Sequence, residues 1–260
     1  MKSLQRYTCN ATIIGLCLAA TSGAYAQVGT PPINSAVITP RVFDDYVGAT
    51  GTYINAYPGA IILGESGEYT NGASGFANKD TWQFSNNGST PYTFQAGDTS
   101  FTASMTLAVT GATNVDNEAG FLIPNANGTF PGGDMQFLAD PQSGFLGFFG
   151  GPGFWNSGFT YVAGTDITMQ IKYSQTGATG NMQFSVTDGT TVTSPVESWA
   201  GNLVGDVLGG YYQLQGVDNS QGPGTTGQAL FDDISMVPEP STLAFLGLGI
   251  GSLVLRRRRI

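Results

Sequence analysis

Residues 167 to 173 read Ile-Thr-Met-Gln-Ile-Lys-Tyr, with a large apolar side chain at every odd position and a polar one between. A period of two lines one face of an extended strand; a helix would scatter the same residues around its circumference. The pattern returns at Met182, Phe184 and Val186, just before Asp188-Gly189, a dipeptide suited to a tight hairpin turn. It is present again from Phe101 to Val109. No apolar period of 3.6 residues is sustained between the two ends of the chain.

Further strand-like runs are Ala36 to Phe43, Thr81 to Phe84, Glu118 to Ile123, Met135 to Leu138, Phe145 to Phe149, Tyr211 to Val217 and Ala229 to Met236. The chain of 260 residues holds 38 glycines, which weaken helices and suit tight turns between short strands. There is no internal repeat of fixed length. Many short strands in one unit of about 200 residues predict an all-β fold, an antiparallel two-sheet β-sandwich of jelly-roll type. Glu118 to Ser235 resembles, in the order of its segments, the second half of concanavalin-like and carbohydrate-module jelly rolls. That resemblance implies the fold; function has to be argued from a site.

The ends differ in kind from the body. Lys2 and Arg6, the apolar stretch Ala11 to Ala20 and Ala24-Tyr25-Ala26 form the three parts of a signal peptide. Cleavage is expected after Ala26, with passage through the Sec export machinery. Both cysteines, Cys9 and Cys17, lie within that segment, so the mature chain has no disulfide. Residues 27–36 read as a flexible leader, 37–236 as the sandwich domain and 237–260 as a C-terminal signal.

That signal runs Pro238-Glu239-Pro240, then the uncharged stretch 241–255, then Arg256, Arg257, Arg258 and Arg259. The apolar stretch is a transmembrane helix slightly shorter than the roughly 20 residues of a comfortable span, and the arginines hold its end on the cytoplasmic side. The three parts in this order resemble the PEP-CTERM sorting signal of Gram-negative bacteria. The resemblance implies transient anchoring in the inner membrane and recognition by an exosortase. The tail is then removed near the Pro-Glu-Pro motif and the protein goes to the cell surface or the extracellular matrix of a biofilm.

Charge and composition narrow what the body can do. Between the ends stand only three basic residues, Arg41, Lys79 and Lys172, in a chain with 18 acids. Nucleic acid is repelled by such a field. The chain has no histidine, which excludes a Ser-His-Asp triad, a Cys-His dyad and zinc sites built on His.

Aromatic side chains are the candidates for ligand binding, because sugars stack their C–H faces on aromatic rings. Phe154 and Trp155 lie in a glycine-rich aromatic loop, Tyr57 in a second glycine-rich region, and Trp199 near a late strand. Core packing is the competing reading for each.

Phe-Asp-Asp occurs twice, ending in Asp44 and Asp45 and again in Asp232 and Asp233. If the first and last strands are neighbours, four carboxylates converge and calcium is the expected cofactor. Two unrelated surface pairs are the alternative. Glu65 and Glu68 are the best-placed carboxylates for glycoside hydrolysis, yet they read as solvated loop charges.

The expectation is therefore an exported protein, not an enzyme, that binds extracellular polysaccharide. The alternatives are a secreted hydrolase using two carboxylates and a purely structural surface protein.

Overall fold

The computed structural model describes residues 32–46, 48–67, 76–111, 116–215 and 225–239. Among the described residues fifteen strands are formed and no helix. They are β1 (Ser35–Asp44), β2 (Thr50–Ala56), β3 (Ala60–Gly67), β4 (Ala77–Ser85), β5 (Ser100–Gly111), β6 (Asp116–Ile123), β7 (Met135–Asp140) and β8 (Phe145–Phe149). There follow β9 (Trp155–Asn156), β10 (Ile167–Thr176), β11 (Thr179–Asp188), β12 (Thr190–Thr193), β13 (Glu197–Ala200), β14 (Gly209–Gln215) and β15 (Thr225–Pro238).

The strands make two sheets, with the jelly-roll arrangement the sequence predicts. The first has the order β1-β4-β14-β6-β7-β8-β9 and the second β12-β11-β10-β5-β15-β3-β2, with β13 also paired to β11. In β10, Ile167, Met169, Ile171 and Tyr173 are buried while Thr168, Gln170 and Lys172 are exposed, as the period of two requires. β14 sits between β4 and β6, and β15 between β5 and β3, so the last two strands occupy the interiors of the two sheets.

Aromatic rings join the layers. Phe148 of β8 stacks on Phe184 of β11 with centroids 3.9 Å apart, and Phe137 of β7 meets the same ring edge-on at 5.2 Å. Trp82 of β4 packs edge-on against Phe231 of β15 at 5.8 Å.

β2 and β3 form a hairpin around Tyr57–Gly59, in a region the sequence reads as a glycine-rich loop. The first and last strands lie in different sheets, against the expectation that they are neighbours: β1 pairs with β4 at the edge of the first sheet. The proposed span 241–255 lies outside the described residues, as do Ala24, Ala26, Pro240 and Arg256 to Arg259.

Candidate functional site

In the first sheet, alternation turns Trp82, Phe121, Phe137 and Phe148 inward and leaves Thr81, Leu122, Gln136 and Phe149 on the outer face. Cross-strand register assembles that face. Gln213 of β14 stands between Lys79 of β4 and Glu118 of β6. Leu122, Gln136 and Phe149 form another row, and Asp140 stands opposite Phe145. Leu122, Leu138 and Tyr211, with Phe145 against them, make a small apolar cluster separate from the main core. Gly147 is required here, because a Cβ at that position would lie 2.9 Å from the Phe145 ring and 2.1 Å from the Trp155 carbonyl oxygen.

The centre of the face is polar and closed. Tyr211 is fully buried; its hydroxyl donates toward Gln136 Oε1 at 2.9 Å and Glu118 Oε1 at 3.3 Å. Lys79 Nζ lies 4.6 Å from the centre of the Tyr211 ring, a cation–π contact. Burial lowers the Lys79 pKa, against the pull of Glu118 and Asp134. Burial also pushes the Glu118 carboxyl up to about 7, against Lys79 and the Tyr211 hydroxyl, which both favour its charged form. Gln213 Nε2 donates to Gln215 Oε1 at 2.8 Å, and Gln83 Nε2 to Thr81 Oγ1 at 2.8 Å.

The β8–β9 edge is open. Phe154 is 67% exposed and Phe149 38%. The Phe154 ring is held 6.0 Å from Phe145 at an interplanar angle of 31°. Two exposed rings beside amides and carboxylates can take the C–H face of a sugar while its hydroxyls find polar partners.

Of the four aromatic candidates from the sequence, Phe154 alone stands open on this edge. Trp155 is half-buried and turns toward Phe137 and Phe148, both at 6.5 Å. Tyr57 packs edge-on to Phe84 at 6.2 Å. Trp199 is 6% exposed, between Phe130 at 5.1 Å and Tyr173 at 6.1 Å. The polar centre of the face carries no motif. Its signal is the polar residue at every second position of Asn78 to Gln83 and Tyr212 to Gln215, in strands paired on both sides.

The carboxylates named from the sequence are dispersed. Asp44 pairs with Arg41 at 2.8 Å, and Asp45 Oδ2 accepts from the backbone of Phe76 and Ala77. Asp232 Oδ1 accepts from the Asp233 backbone, and Asp233 has a positive φ of 48°. Among the described residues no three carboxylates converge on one point. Glu65 is no solvated loop charge. It lies buried in β3, where Arg41, Tyr53 and Asn78 hydrogen-bond it at 3.0–3.3 Å. Glu68 lies outside the described residues.

Residues 237–259 match the PEP-CTERM protein-sorting motif. The chain therefore carries the signal of an exported, membrane-transiting protein handled by an exosortase. No curated protein matches the chain. Among solved structures, the chain is similar to alginate lyase Aly36B, with 14% identity, 80% of this chain and 100% of that chain covered, and a TM-score of 0.44. It is similar to the alginate lyase from Klebsiella pneumoniae, with 13% identity, 72% and 84% covered, and a TM-score of 0.48. It is also similar to arcelin-5, a lectin-like defence protein from Phaseolus vulgaris, with 13% identity, 78% and 100% covered, and a TM-score of 0.42. At these identities the likeness is one of fold. It corrects one expectation: with enzymes among the structures of this fold, the reading of the chain as a non-enzyme does not stand.

Proposed function

We propose that this exported protein binds polysaccharide outside the cell, at the surface or in the matrix of a Gram-negative bacterium, through the outer face of its first sheet. The observation that carries the reading is Phe154, 67% exposed, held by Phe145 and close in the chain to the half-exposed Phe149. An exposed ring kept in one orientation by a second ring is ready to stack without further ordering. Gln136 of β7 stands opposite Phe149, and Asn156 of β9 stands opposite Gly147.

The test is co-sedimentation of the processed protein, isolated from its host, with the host's own extracellular polysaccharide. It is run with Ca²⁺ and with EDTA, while released sugar is monitored. Binding is expected, and the Phe149→Ala, Phe154→Ala double variant is expected to weaken it by about tenfold, given ~0.5–1.5 kcal/mol for each aromatic contact. Loss of binding in EDTA assigns a role to calcium. Absence of binding in both conditions sinks the proposal.

A further inference from the structure

Carboxylates share the outer face of the first sheet with its aromatic edge. Register places Glu118 of β6 across from Gln213 and Asp116 across from Gln215, Asp140 at the end of β7 stands opposite Phe145, and Asp134 immediately precedes β7. Among the described residues, Lys79 is the only cation on this face. Arg41 is engaged with Glu65 and Asp44, and Lys172 belongs to the outer face of the second sheet. Lys79 is 5% exposed, lies against the Tyr211 ring, and has Glu118 and Asp134 as its charged neighbours.

We infer that the polysaccharide taken by this face is a neutral one, and that the carboxylates of the face, Asp140 opposite Phe145 and Asp134 just before β7, turn away polymers of uronic acid or other anionic sugars. The inference rests on the binding role proposed above and narrows it.

The argument is one of hydrogen-bond sense as well as charge. Ionised carboxylates only accept hydrogen bonds, and the hydroxyls of a neutral sugar donate them. A uronate brings further acceptors and a negative charge, and needs an exposed cation or a fork of donors, as arginine supplies elsewhere. The carboxylates are also fixed in place. Asp134 Oδ1 accepts from the Asn125 backbone at 2.7 Å, and Asp140 Oδ1 from the backbones of Gln142 at 2.8 Å and Ser143 at 3.3 Å. They cannot swing away from an approaching anion at no cost.

The experiment separates the host's extracellular polysaccharide by anion exchange into a neutral and an acidic fraction. Binding of the processed protein to each is then measured at about 20 mM and about 500 mM salt, where the screening length falls from roughly 20 Å to a few ångströms. The neutral fraction is expected to bind at both salts. The acidic fraction is expected to bind at least tenfold more weakly at low salt and to gain as salt rises. Equal or tighter binding of the acidic fraction at low salt overturns the inference and leaves polysaccharide binding intact. Binding of neither fraction overturns both.

A second measurement assigns the cause. Asp134→Asn with Asp140→Asn keeps an Oδ1 acceptor for each turn and removes two charges. It is expected to raise acidic-fraction binding relative to neutral by about threefold at low salt, as two charges near 10 Å in water imply. An unchanged ratio shows that these carboxylates are not what discriminates.

Discussion

Lys79 and Tyr211 meet on adjacent strands of the first sheet, the ammonium 4.6 Å from the ring centre, with the hydroxyl of the same ring bonded toward Gln136 and Glu118. One buried ring thus meets a cation with its face, and the single O–H at its tip is shared between two acceptors. Tyr211→Phe keeps the first contact and loses the second. Leaving Glu118 and Gln136 without their donor is expected to cost about 1–3 kcal/mol, read as a lower midpoint in urea with an unchanged slope. Tyr211→Leu is expected to cost more, because Lys79 loses its ring as well.

The acid pKa shifts have a definite sign. Burial raises the Glu118 carboxyl from 4.5 to about 7, and burial together with Glu65 raises Asp80. The folded protein therefore holds these protons more tightly than the unfolded chain. Their contribution to stability is full below about pH 4.5 and is lost as pH rises toward 7. For Glu118 the loss is on the order of 3 kcal/mol. Thermal midpoints are expected to fall across this window, and Glu118→Gln to flatten much of the slope. A midpoint that rises with pH contradicts the assignment.

Arg41 has a positive φ of 51° at an irregularity in β1 and binds Glu65, whose side chain is fully buried, and Asp44. Arg41→Met is expected to destabilise by about 3–5 kcal/mol, since it strands a buried carboxylate. Adding Glu65→Gln to that variant is expected to recover part of the loss. Additive losses in the double-mutant cycle show that the two residues do not act as a pair.

Phe184 touches both Phe148 and Phe137 across the layers. Phe184→Ala is expected to cost about 3–5 kcal/mol in denaturant titration. Phe154→Ala, at an exposed ring, is expected to stay within about 0.5 kcal/mol. Comparable losses for the two contradict the division between core and open edge.

The sorting motif makes a prediction of its own. Intact-mass measurement of the protein released by its host is expected to give a C-terminus upstream of Arg256. A mature chain still ending in Arg259 and Ile260 contradicts processing of the tail.

Strands with one wet face were legible. β10 and β11 alternate so cleanly that burial follows position by position. The hairpin of β2 and β3 was not, because Gly51, Pro58, Gly59 and Gly64 give it the composition of a loop. At Gly64 the reason is long-range: a Cβ there would meet Gln228 of β15 at 2.9 Å. Glu65 was misread for a similar reason. Its partner Arg41 is 24 residues away, and no local pattern announces the pair. From Thr81 to Phe84 a polar residue alternates with an aromatic one, a pattern that fits one wet face. Yet both faces of β4 are closed, at Lys79 as well as at Thr81 and Gln83. Of the candidate site, the aromatic loop around Phe154 was visible in the sequence, and the polar centre beside it was not.

The placement of β14 and β15 inside their sheets has a kinetic consequence. β4 and β6 lack their shared neighbour, and β5 and β3 theirs, until residues 209–238 are available. Pairings of such long sequence separation are slow to form. A chain that is threaded outward from its N-terminus therefore stays open until nearly all of it has crossed. The order of synthesis itself delays closure of the sandwich until the chain is past the point where a finished fold would block its passage.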